Sequence, residues 1–184
     1  MVVFIVILCV GCKSQYFEKS ELKEELLQAI NSKKLEIYNN NRFDKIPLEC
    51  FEVTDIISFS FTGTECIYNE KCINIYSIPK DILKFKKLKS LKLVMNDIKE
   101  IPPYINLMKL TQLDLSDNRD INIDNLKNET IEVLNLNNCN LSYIPENIYK
   151  MKKLRVIGIE GNPNISQKDI TIFKKKFPNC EIYL

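Results

Sequence analysis

Leu88-x-x-Leu91-x-Leu93-x-x-Asn96-x-Ile98 is a line that this chain writes four times. It returns as Leu110-x-x-Leu113-x-Leu115-x-x-Asn118, as Ile131-x-x-Leu134-x-Leu136-x-x-Cys139-x-Leu141 and as Leu154-x-x-Ile157-x-Ile159-x-x-Asn162. The copies start at 88, 110, 131 and 154, a period of 22, 21 and 23 residues. Each holds a short alternation of apolar and other residues, the pattern of a half-buried strand. One copy cannot bury its own apolar face, so copies must stack, each against its neighbours.

The remaining positions of the template recur too. Asn96, Asn118 and Asn162 fall in the turn after each strand, and Cys139 takes the equivalent place in the third copy. A buried amide there can satisfy backbone groups of adjacent turns, so these are read as structural residues. A second signature follows: Ile78-Pro79-x-x-Ile82, Ile101-Pro102-x-x-Ile105 and Ile144-Pro145-x-x-Ile148, broken once as Ile123-Asp124. Proline suits the start of a short helical turn because its missing N–H is harmless there. The apolar residues beyond it, continuing to Phe85, Leu107 and Met151, are expected to back the sheet.

In both signatures the chain resembles the leucine-rich repeat family, in an Ile-Pro subtype of about 23 residues. The match covers about half of the chain directly. The resemblance implies an α/β fold: a leucine-rich repeat solenoid with a short curved parallel sheet of about five repeats. Inward leucines would stack as a continuous core, and the residues between them would face the concave side. A helical cap is implied at the N-terminal end and a helix-strand cap at the C-terminal end.

Outside the regular copies, 51–61 turns to alternation, with Ile57, Phe59 and Phe61 pointing one way and Ser58 and Ser60 the other, which predicts a strand. Setting Ile56, Phe59 and Phe61 on the template makes this a degenerate first repeat. It starts 32 residues before Leu88, so an insertion near 62–74 carries Gly63, Cys66 and Cys72. Before it, Leu22, Leu26, Leu27 and Ile30 keep helical spacing behind Ser20 as N-cap. That helix and the segment 34–38 are expected to cover the open end of the stack. At the other end Ser166-Gln167-Lys168-Asp169 reads as a capping box. A helix with Ile170, Phe173 and Phe177 on one face and Lys174-Lys175-Lys176 on another follows, then an alternating edge strand over 180–184. The organisation expected is a signal peptide over 1–11, a tether and N-terminal cap over 12–50, repeats over 51–165 and a C-terminal cap over 166–184.

With 184 residues, 45% apolar content and a net charge of +2, the chain can bury a core and has no broad electrostatic drive toward nucleic acid. It contains no histidine, so histidine-activated nucleophiles and histidine-ligated metals are excluded. No cofactor and no metal site is expected. The apolar run 2–10 is too short to span a bilayer but long enough for a secretory signal core. The Gly11-Cys12 that follows resembles the cleavage box of bacterial lipoproteins, which implies acylation of Cys12 and anchoring in the bacterial cell envelope. The alternative is an N-terminal core strand in a cytoplasmic adaptor. For Cys66 and Cys72, spaced by six, a local disulfide and two reduced thiols both stay open, and zinc is not indicated.

Function on such a scaffold lies in what the core leaves free. Across the copies those positions give Lys92, Asp114, Asn135 and Gly158, then Val94, Ser116, Asn137 and Glu160, then Met95, Asp117, Asn138 and Gly161. The set is polar, mixed in sign and without basic rows, which points to a protein or peptide partner rather than nucleic acid. No calcium-type loop surrounds Asp114, Ser116 and Asp117, so they are read as surface polar residues. The expectation is a monomeric, non-catalytic binding module with a membrane contact through the N-terminal lipid. An assembly role through the 62–74 insertion or the basic C-terminal helix is the alternative.

Overall fold

The computed structural model describes residues 21–40, 42–64 and 72–184. Among them seven parallel strands pair in chain order: β1 (Lys34–Tyr38), β2 (Ser58–Thr62), β3 (Ser90–Lys92), β4 (Gln112–Asp114), β5 (Val133–Asn135), β6 (Val156–Gly158) and β7 (Glu181–Tyr183). The register aligns Leu35, Phe59, Leu91, Leu113, Leu134, Ile157 and Ile182 in one row. All of these but the half-buried Ile182 are fully buried, and a second buried row runs through Ile37, Phe61, Leu93, Leu115, Leu136 and Ile159. The expected α/β leucine-rich repeat solenoid is therefore what the chain forms, and both caps lend a strand to the sheet.

The proline turns lie behind this sheet. Lys80–Lys84 and Pro103–Leu107 form 3-10 turns capped by Pro79 and Pro102, and Ile148–Lys150 forms a third. Phe85 and Met151 are buried as expected, whereas Leu107 is 77% exposed and Met108 takes its place. The 3-10 bond sets the spacing at three: Phe85 N–H donates to Ile82 O, Met108 to Ile105 and Met151 to Ile148. After the broken Ile123-Asp124 signature a single turn, closed by Leu126 N–H on Ile123 O (2.9 Å), stands where the other copies have a 3-10 helix. The side-chain amide of Asn147 donates to Ile123 O (2.8 Å) and Leu126 O (2.7 Å), as Asn128 does to Ile105 O and Met108 O behind the regular turn.

Sequence alternation misplaces the start of β2. Residues Leu48–Glu52 are a 3-10 turn, the strand begins only at Ser58, and Ile57 is 44% exposed rather than facing inward with Phe59. The Ile57 carbonyl, at the bend into the strand, accepts Lys89 N–H (2.9 Å) and Ser90 N–H (3.1 Å), and Ile56 fills the core position. Ile46-Pro47-x-x-Cys50 is a further copy of the proline signature, with buried Cys50 where Ile82 stands in the next copy. This is why β1 joins the stack in register.

The asparagine ladder satisfies the turns after the strands. Asn118, with no exposed surface, donates from Nδ2 to Leu93 O (2.7 Å) and Leu115 O (2.9 Å) and accepts Ile98 N–H (3.1 Å). Asn96 makes the same reach to Phe61 O and Ile75 N–H, and Asn162 to Leu136 O, Cys139 N–H and Leu141 N–H. Cys139 substitutes a thiol that donates to Leu115 O at 3.3 Å.

The ends are closed by helices. Leu22, Leu26, Ala29 and Ile30 of the α1 region (Lys23–Ser32) are buried beside β1, and Lys33 ends the helix with φ 60°. Leu22 occupies the N-cap, while Ser20 lies outside the described residues. Helix α2 (Gln167–Lys176) starts on the expected box: Ser166 Oγ accepts Asp169 N–H (3.1 Å), and the Asp169 carboxylate accepts the Ser166 N–H (3.2 Å). Phe173 is buried and stacks on Phe177 with centroids 4.9 Å apart.

Candidate binding surface

Alternation leaves every second strand residue on the side away from the core. The register places Lys92 beside Asp114, Asp114 beside Asn135 and Asn135 beside Gly158, so the row read from the sequence is continuous in space. The sheet extends it with Glu36 and Ser60 on one side and Tyr183 on the other. A parallel row, Ser90, Gln112, Val133 and Val156, was not among the positions singled out from the sequence. Its residues precede the first strand leucine, and only pairing shows that they share the face.

Hydrogen bonding separates the members of these rows. Ser116 is buried, and its Oγ donates to Asp114 Oδ1 (2.6 Å), which also accepts Ser116 N–H (3.1 Å). Ser116 thus orients the Asp114 carboxylate. Asn135 Oδ1 accepts Asn137 N–H (3.1 Å) and Asn137 Oδ1 accepts Glu160 N–H (2.8 Å). Both side-chain carbonyls turn back to the backbone, leaving their amide N–H groups to face outward as donors. A Cβ on Gly158 would lie 2.7 Å from Asn135 Oδ1 and 2.8 Å from Asn137 Oδ1, so glycine makes room for both amides.

The third row forms a rim in the left-handed region: Met95 at φ 59°, Asp117 at 58°, Asn138 at 55° and Gly161 at 69°. Asp, Asn and Gly adopt that conformation readily; Met95 is the costly member. Asn138 Nδ2 donates to Asp117 Oδ1 at 2.8 Å. Lys92, Val94 and Met95 are half-buried, whereas Asn138 and Glu160 stand exposed. No three acidic or cysteine side chains gather as a metal site among the described residues.

Cys12 and Cys66 lie outside the described residues, and Cys72 is disulfide-bonded. Cys50, Cys139 and Cys180 are free. Burial pushes the Cys139 thiol up to about 12 and raises Cys50 as well, so neither is a nucleophile at neutral pH. The insertion is fastened at its base, where Asn74 Oδ1 accepts Thr64 N–H (2.7 Å) and Asn74 Nδ2 donates to Thr64 O (3.1 Å). Away from the strand rows, a cavity of about 680 Å³ opens at the proline turns of the first repeats, lined by Arg42, Phe43, Pro47, Leu48 and Pro79 among others.

The Leucine Rich Repeat family profile matches residues 130–151, the copy that contains β5. Among solved structures the chain is similar to a leucine-rich repeat protein of Leptospira interrogans, with 23% identity and a TM-score of 0.66 over 89% of this chain. The chain spans 39% of that protein's length. The leucine-rich repeat ectodomain of the receptor kinase SOBIR1 from Arabidopsis thaliana is 25% identical, with a TM-score of 0.49 over 71% of this chain and 70% of its own. No curated protein matches the sequence significantly.

Proposed function

We propose that this chain is a non-catalytic protein-binding module that takes a peptide or projecting loop on its concave sheet. The observation that carries the reading is the row Lys92, Asp114 and Asn135, whose residues stand side by side on the face of the sheet away from the core. Strands about 4.8 Å apart make the seven-stranded face roughly 29 Å wide, and mostly three residues at about 3.3 Å each make it roughly 10 Å deep, near 300 Å². A standard stable interface buries about 800 Å² per partner. The strand face alone therefore suits a segment better than a whole domain. Lysine, carboxylate and outward amide groups can meet both charges and the backbone N–H and C=O groups of such a segment.

The Lys92→Ala, Asp114→Ala, Asn135→Ala triple variant is expected to lose its crosslinked partner in intact cells while keeping its circular dichroism spectrum. Undiminished crosslinking by the folded variant overturns the concave-face reading. We place the protein in the bacterial cell envelope, tethered through an acylated Cys12, because Gly11-Cys12 ends an apolar run of signal length. Metabolic labelling with a radioactive fatty acid should mark the wild type and not Cys12→Ser. Equal label in both removes the anchor.

A further inference from the structure

The net charge of +2 conceals a division along the chain. Residues 150–184 hold eight lysines and arginines against three acids, net +5, while the rest of the chain is net −3. Much of that positive charge converges on one recess. The loop entering β6 and the turn leaving α2 enclose a groove of about 560 Å³, lined by Lys152, Lys153, Arg155 and Lys176 over Leu154, Phe177, Pro178 and Cys180. Lys174 and Lys175 extend the positive field along the last turn of α2.

Further along this flank Lys33 and Lys87 share Asp55 at 3.3 and 2.6 Å. Among the described residues Glu132 is the one acidic side chain lining the groove, and it stands 3.7 Å from an Arg155 whose side chain is 77% exposed. Such a pair is weak and easily exchanged for a ligand carboxylate. Lys176 lies with its ammonium 5.0 Å from the Tyr149 ring centroid, which fixes its direction without neutralising it.

We propose that this groove is a second docking site, for an acidic peptide segment of a protein partner. Charge selects the partner's sign. Shape selects its class: the site is a short recess with an apolar floor, which accepts alternating acidic and apolar side chains. A flat anionic membrane would touch the rim lysines and leave that floor unfilled. A nucleic acid would call for a continuous basic track with open aromatic faces, whereas Phe177 is already stacked on Phe173. The site is separate from the concave rows and stands or falls without them.

The probe is a fluorescein-labelled peptide of repeated Glu-Glu-Leu triplets, followed by anisotropy on the full chain at low ionic strength. Binding is expected, and it should weaken steeply as salt shortens the screening length below about 10 Å. The Lys152→Glu, Lys153→Glu, Arg155→Glu variant should bind at least about tenfold more weakly, a loss of about 1.4 kcal/mol or more. Lys168→Glu, an exposed site on α2 outside the groove, should bind like wild type. No binding, or equal weakening in Lys168→Glu, overturns the proposal. So does tighter binding to phosphatidylglycerol vesicles or to oligothymidylate than to the peptide.

Discussion

Replacing Asn118 by alanine tests whether the stack is held by side-chain amides as much as by its leucines. The substitution removes the acceptor of the Ile98 N–H (3.1 Å) and the donor to Leu93 O (2.7 Å), in a place with no access to water. Each buried polar group left without a partner costs about 1–3 kcal/mol, so these two alone cost about 4 kcal/mol, before the lost bond to Leu115 O is added. A domain has only about 5–15 kcal/mol in hand. In urea, with a slope of about 2 kcal/mol per molar, the midpoint should fall by about 2 M. Asn118→Cys restores a weak donor toward Leu93 but no acceptor for Ile98, so its midpoint should lie between wild type and alanine. Cys139, which serves its turn through a thiol 3.3 Å from Leu115 O, is the natural precedent. A shift below about 0.5 M for Asn118→Ala, at unchanged slope, refutes the ladder as a main source of stability, since that corresponds to only about 1 kcal/mol.

A Cβ at Gly63 would fall 1.7 Å from the Met95 carbonyl oxygen, a backbone atom that cannot swing aside. Gly63→Ala should therefore lower the melting temperature by more than Gly158→Ala, whose added methyl meets only the ends of Asn135 and Asn137 side chains; calorimetry showing the reverse order would contradict the packing at the insertion. Of Cys50, Cys139 and Cys180, half-buried Cys180 should be alkylated first in the native protein, with Cys50 and Cys139 reacting only on unfolding, as peptide mapping would show. Because burial raises the Cys139 thiol to about 12, its contribution to stability is complete below the unfolded thiol value of about 8.5 and declines as pH rises toward 12. Cys139→Ala should flatten that alkaline decline in denaturation midpoints measured against pH; an equally steep fall in the variant counts against it.

The repeat was legible because its leucines obey two periods at once, and every regular strand falls where the template puts it. What the sequence hid were positions where one residue does another's work. Cys50 stands in an isoleucine's place and masked the Ile46-Pro47 copy, so the segment carrying β1 read as a cover rather than as a member of the stack. Ile57 alternates with Phe59 on paper, but alternation holds only inside the strand, and the bend before Ser58 turns Ile57 outward. The amides Asn128 and Asn147 behind the sheet carry no template spacing, yet both are buried and bonded to the preceding turn. On the candidate surface the central row was readable from register alone. The burial of Ser116 and the outward turn of the Asn135 and Asn137 amides were not, because they depend on hydrogen bonds within and between adjacent strands.

The amide ladder also gives the molecule a polarity. Asn96, Asn118, Asn128, Asn147 and Asn162 each reach into the repeat before their own. Asn39 and the exposed Asn106 run the other way and reach forward, to Ile73 O and Asn125 O. A repeat therefore completes its neighbour on the N-terminal side. As the chain leaves the ribosome, the newest turn has carbonyls and amides still waiting for residues not yet made, and each arrival finishes the turn before it. Translation and ladder advance in the same direction, so assembly can follow synthesis one turn behind.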